Sequence, residues 1–179
     1  MFDFNFVISA RSGQSFSLDP KDSDSIHNHN LLDQLVGTLV KYSASGRIEP
    51  FLAESWVELD NGRHWQFKMR SGLRCEDGSL ITASSYVDSL TTQLREYADW
   101  SSLINFNDLK GFRDFKTGTA RRIDGLFASQ DMVNMIFDHP PEQLLEFLQW
   151  SILDIGAGTT VATWFPLAPI ELDAFTRLA

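Results

Sequence analysis

The segment Asp60-Asn61-Gly62-Arg63 separates Ala53–Leu59 (AESWVEL) from residues 64–70 (HWQFKMR), and this junction constrains the fold more than any other feature. Asn and Gly both accept φ > 0, so Asn-Gly between two β-type runs is the strongest short hairpin signal. The second run alternates cleanly. Trp65, Phe67 and Met69 fall on one face, and His64, Gln66, Lys68 and Arg70 on the other. Period-2 patterning suits a sheet with one buried and one wet face. An antiparallel hairpin with its aromatic face inward is expected.

Two turn signals follow, Ser71-Gly72 and Glu76-Asp77-Gly78-Ser79. Thr82 then stands as the cap of a helix expected over residues 83–97. Ala83, Val87, Leu90, Leu94 and Tyr97 make one stripe at helical period, which reads as core packing. Elsewhere the pattern predicts a strand over 4–10, a helix starting over 30–36 and a strand over 38–42. Residues 101–118 read as loop with short helical pieces. A second hairpin-like pair is expected from 125–129 and 132–138, around Gln130-Asp131. His139-Pro140-Pro141 stops it, and Pro141 suits the first turn of a helix over 142–150.

The chain has 179 residues and is 43% hydrophobic, with 14 Phe and 5 Trp, enough for a real core. Its net charge of −9 argues against nucleic acid as the main partner. The local basic run of Lys110, Arg113, Lys116, Arg121 and Arg122 reads as a solvated loop, because no aromatic stacking platform accompanies it. No apolar run is long enough to span a membrane. No signal peptide is visible in MFDFNFVIS. Cys75 is the only cysteine, so no internal disulfide can form, and the compartment stays open between cytosol and periplasm.

The search for chemistry is short. His27 and His29 flank Asn28 but need further ligands for a metal, and they read as a polar loop pair. Asp19, Asp22 and Asp24 have the look of a calcium loop, yet its glycine and final glutamate are missing when the count starts at Asp19. Cys75 has no identifiable histidine partner. The Gly-Ala-Gly of the tail lacks the context of a phosphate loop. No enzyme, no metal and no cofactor is expected.

A longer set of residues carries a resemblance. Leu18-Asp19-Pro20 is followed by Leu35-Val36-Gly37-Thr38-Leu39-Val40. Then come Gly46, Ile48, Pro50 and Leu52-Ala53-Glu54-Ser55-Trp56. Asp60, Gly62, Trp65, Phe67, Met69-Arg70, Gly72-Leu73, Asp77-Gly78-Ser79 and Ile81-Thr82-Ala83 complete the set. In order and spacing this resembles family 5 of the extracellular solute-binding proteins, the oligopeptide, dipeptide and nickel type. The ordered matches run over most of the chain. Cys75, where the family has an aromatic, and Ser85, where an acidic residue commonly follows the cap, depart from it.

The resemblance implies an α+β fold of antiparallel hairpins packed with helices. It corresponds to the start of lobe I and the small accessory domain of a type II periplasmic-binding fold. Residues 1–45 would belong to lobe I, 46–155 to the accessory domain, and 156–179 would return toward lobe I. Members are well over twice this length and close two lobes on their solute, so the chain is expected to be a fragment. The implied role is the solute-binding component of an ABC importer, periplasmic or extracellular, capturing peptides for a permease. The alternative is the sensing domain of a cytoplasmic transcriptional regulator. The ligand-binding residues so implied are Asp24, Ser25 and Ile26, in the loop after the Leu-Asp-Pro strand, with Tyr97 and Trp100 beyond the central helix. Trp56, Gly62, Trp65, Gly78 and Thr82 are given scaffold roles.

Overall fold

The computed structural model describes residues 37–75, 78–96 and 105–148. The strand expected over 4–10 and the helix over 30–36 lie outside them. Strands β1 (Val40–Tyr42) and β2 (Ile48–Pro50) form a small antiparallel ladder, Val40 opposite Pro50 and Tyr42 opposite Ile48. A second sheet contains β3 (Ala53–Leu59), β4 (His64–Met69), β5 (Leu126–Ser129) and β6 (Met132–Ile136), in the order β3-β4-β6-β5 with every neighbour antiparallel. The helices are α1 (Ala83–Glu96), α2 (Phe112–Lys116) and α3 (Leu144–Leu148), with a 3₁₀ turn at Asn105–Asp108. The mixed α+β class expected from the sequence is the class observed.

The hairpin forms as the junction requires. Asp60, Asn61 and Gly62 have φ of 51°, 52° and 84°, three successive left-handed residues. Asp and Asn tolerate that region better than other side chains, and Gly accepts it freely. The loop is closed by Gly62 N–H donating to Leu59 O and by the Arg63–Asp60 pair at 2.8 Å. β4 ends at Met69, one residue short of the expected 70. Phe67 is fully buried and Met69 nearly so, while Trp65 is half-buried and donates its indole N–H to Gly62 O at 2.9 Å.

Thr82 caps α1, and Ser85 does what a Glu does in the usual capping box. Thr82 N–H donates to Ser85 Oγ at 2.8 Å, and Ser85 N–H donates back to Thr82 Oγ1 at 3.1 Å. Two orphan amide donors are thereby satisfied reciprocally. At the other end, Lys116 Nζ donates to Leu94 O at 3.0 Å, placing a cation where the helix dipole favours one. α1 lies against β5 and β6. The core joins Phe67, Val133, Met135 and Leu126 of the sheet to Ala83, Tyr86, Leu90 and Leu94 of the helix.

The helix stripe differs from the expected one. Val87 is only half-buried, whereas Tyr86 is fully buried and Gln93 is 7% exposed. A helix face buried against a sheet is wider than one line of residues. Tyr86 and Gln93 are amphipathic, so the apolar count passed over them. Among the described residues, neither the Tyr86 hydroxyl nor Gln93 Oε1 has a hydrogen-bond partner. A buried hydroxyl without a partner costs stability. Burial also pushes the Tyr86 phenol up from its ordinary value of 10.0. The unfolded chain therefore ionises first, and the stabilisation of the neutral phenol is lost as pH rises above about 10. Tyr86→Phe is expected to raise stability by about 1 kcal/mol near neutral pH and to weaken the alkaline loss. Urea unfolding of both proteins between about pH 7 and about pH 11 checks this; equal alkaline slopes would refute it.

The second half matches the expected order with adjusted ends. The pair expected over 125–129 and 132–138 is the β5–β6 hairpin, turned at Gln130 with φ 56°. The helix expected over 142–150 starts only at Leu144, so Pro141 is outside its first turn. Gln143, at φ 56°, is left-handed and cannot belong to a right-handed helix. Leu144 and Leu148 are buried, and Phe147 meets Phe106 edge-on at 5.5 Å.

Three chain segments meet at Gly125. Lys110 N–H donates to Ile136 O at 2.9 Å, Gly125 N–H to Lys110 O at 2.8 Å, and Ile136 N–H to Gly125 O at 2.7 Å. This closed set of backbone bonds ties the turn before α2 to the β5–β6 hairpin.

Candidate functional site

All five ligand-binding residues expected from the resemblance, Asp24, Ser25, Ile26, Tyr97 and Trp100, lie outside the described residues. So do His27, His29 and the aspartates of the 19–24 run. Along the chain, α1 ends at Glu96, one position before Tyr97.

The sheet presents a second face opposite α1. Cross-strand partners share a face, so the register arranges this one in rows. Leu59, His64 and Ile136 form one row, Val57, Gln66, Asn134 and Phe127 the next, and Ser55, Lys68, Met132 and Ser129 a third. Val57, Leu59 and Phe127 are exposed. At the centre, Asn134 is only 2% exposed, and its Oδ1 accepts from Gln66 Nε2 at 2.9 Å and faces His64 Nε2 at 3.1 Å. The outward face of β4 is therefore not uniformly wet. His64 and Gln66 are half-buried and spend their donors on a buried acceptor. The missed signal was Asn134, a polar residue inside the apolar run Met132–Ile136. Lys68, at the edge, pairs with Glu54 at 2.5 Å, and that hydrogen bond holds its ammonium pKa above the ordinary value.

A half-open cleft of about 320 Å³ lies between the 3₁₀ turn, α2 and the segment after β6. Asp108, Arg113, Asp114, Asp138 and His139 line it. His139 Nδ1 stands 3.3 Å from Asp108 Oδ1, and the imidazole is largely exposed. Such a wet arrangement supplies neither a desolvated acid nor an activated nucleophile. Among the described residues no group of three or more His, Cys, Asp and Glu could hold a metal. Cys75 is buried, which shields it from reagents in solution. No described helix is long and apolar enough to cross a membrane.

Comparison with known proteins shows what these residues are similar to. Residues 47–132 match the family model described as bacterial extracellular solute-binding proteins, family 5 Middle. The periplasmic oligopeptide-binding protein OppA of Haemophilus influenzae is 30% identical over 71 residues, 40% of this chain and 13% of that protein. The periplasmic murein peptide-binding protein MppA of Escherichia coli is 29% identical over 105 residues, 56% of this chain and 19% of that one. In three dimensions, the crystal structure of H. influenzae OppA in complex with the peptide RPPGFSPFR superposes with a TM-score of 0.67 at 22% identity. That superposition covers 76% of this chain and 28% of the solved one. At such identity the structural likeness is one of fold. The chain thus spans less than a third of the length of each of these proteins. Over residues 47–132, which hold the β3–β4 hairpin, the capped helix and β5, the chain is similar to the bacterial extracellular solute-binding proteins, family 5.

Proposed function

We propose that this chain belongs to the solute-binding component of an ABC-type importer, captures peptides rather than transforming them, and works in the periplasm or outside the cell with a membrane permease. The observation that carries this reading is the family match over residues 47–132. The names of the relatives support it, two of them peptide-binding and periplasmic. No observation favours the alternative of a regulator's sensing domain. In this reading the described residues are the scaffold, and Asp24, Ser25, Ile26, Tyr97 and Trp100 contact the peptide. Backbone amides and carbonyls of an extended peptide need donors and acceptors that water exclusion strengthens, and polar loop side chains with flanking aromatics supply them. The domain division at 45/46 and 155/156 is part of the same proposal. Calorimetric titration of the chain with dipeptides and longer oligopeptides is expected to give saturable heat, reduced at least about tenfold in affinity by Asp24→Ala with Trp100→Ala. Absence of heat with every peptide would overturn the reading.

A further inference from the structure

We propose that the corner formed by the end of α1, α2 and the loop to residue 122 is an electropositive docking surface for an anionic lipid membrane. Six of the chain's 15 Lys and Arg residues belong to or adjoin these segments: Arg95, Lys110, Arg113, Lys116, Arg121 and Arg122. Contacts between elements hold part of the group together. Arg95 lies over the Phe115 ring at 4.9 Å and donates to Arg121 O at 3.4 Å, and Lys116 reaches across to Leu94 O. The sequence reading of a solvated loop could not include Arg95, which is 15 or more positions away from Lys110 in the chain and is brought in by folding.

Among the described residues none of the six enters an ion pair, although Asp114 and Asp124 are nearby and the carboxylates of Asp108 and Asp138 share the cleft with Arg113. Lys110, Arg113, Arg121 and Arg122 are exposed. The net charge of −9 does not cancel this corner at a surface, because screening removes charges beyond about 8 Å at physiological salt. The chemistry of the corner selects the partner. Phe112 and Phe115 are buried, so the described residues of this corner offer no base-stacking platform for nucleic acid. None of the exposed large hydrophobics among the described residues, Tyr42, Val57, Leu59, Leu80 and Phe127, belongs to these segments, so the described residues supply no apolar centre for a protein interface. A lipid surface needs neither. Each basic residue near an anionic bilayer contributes about 1 kcal/mol, and a cluster of about four to eight suffices for recognition.

The test is co-sedimentation of the full chain with vesicles of phosphatidylcholine alone and with vesicles half phosphatidylglycerol. Binding is expected only to the anionic vesicles and is expected to vanish in high salt. The double variant Arg121→Glu/Arg122→Glu, checked for an unchanged thermal melt, is expected to lose at least about tenfold in partitioning. Should it fail to fold, Arg121→Gln/Arg122→Gln carries the same test with a smaller loss. Equal partitioning onto both vesicle types, or no binding to either at low salt, would overturn the proposal. So would undiminished binding by the variants, or capture by immobilised polyglutamate without vesicle binding.

Discussion

Gly125→Ala is expected to destabilise the protein by about 3 kcal/mol or more. The reason is distance rather than torsion. A Cβ on Gly125 would lie 2.3 Å from Ile136 O, 2.9 Å from Lys110 N and 3.0 Å from Lys110 Cβ. Two of these neighbours are backbone atoms, and both belong to the three-way set of hydrogen bonds that closes the sheet against the turn before α2. They cannot yield without breaking bonds whose donors and acceptors would then be left unmade. Gly46 is the control. Its φ of 74° makes alanine strained there, but nothing lies within 4 Å. Gly46→Ala is expected to cost only about 1 kcal/mol. Urea unfolding of the two variants checks the contrast. Similar losses at both positions would show that the junction is softer than its bond lengths imply.

The second large effect is expected at Phe67, with Phe67→Ala costing about 3 to 5 kcal/mol. Phe67 is fully buried on β4, an inner strand, between Trp56 of β3 and Val133 of β6. Its ring is stacked with that of Trp65, centroids 6.3 Å apart. Truncation removes the transfer free energy of the ring and leaves a hole that the paired strands on both sides, β3 and β6, keep from collapsing. Phe127→Ala, on an exposed edge position of the opposite face, is expected to cost less than about 1 kcal/mol. Thermal unfolding of the pair distinguishes a one-sided core from a sheet buried on both faces. Comparable losses would place the core on the wrong side.

What was legible in the sequence was local. The Asn-Gly junction and the alternation of Trp65, Phe67 and Met69 identify the hairpin because its partners are adjacent in the chain. Thr82 could be read as a cap because capping is a short-range hydrogen bond. That Ser85 completes the box was not legible, since a serine there is shorter than the usual glutamate. The placement of β6 beside β4 joins Phe67 to Val133 across more than sixty residues. No short-range pattern encodes that pairing. The polar centre at Asn134 follows from it, because Asn134 finds His64 and Gln66 only after the two strands meet. Tyr86 and Gln93 were missed for a related reason: one line of apolar residues underestimates the width of a helix face laid on a sheet. The expected ligand residues rest on a resemblance and lie outside the described residues.

Under the proposed function the protein divides into a scaffold, centred on the β3–β4 hairpin and α1, and a proposed peptide site elsewhere in the chain. Backbone hydrogen exchange of the full chain, with and without saturating oligopeptide, tests that division most directly. The amides of Phe67 and Val133 are expected to exchange slowly in both states, with peptide-dependent protection confined to segments around Asp24–Ile26 and Tyr97–Trp100. Protection appearing in the β3–β4 hairpin, with none around those five residues, would contradict it.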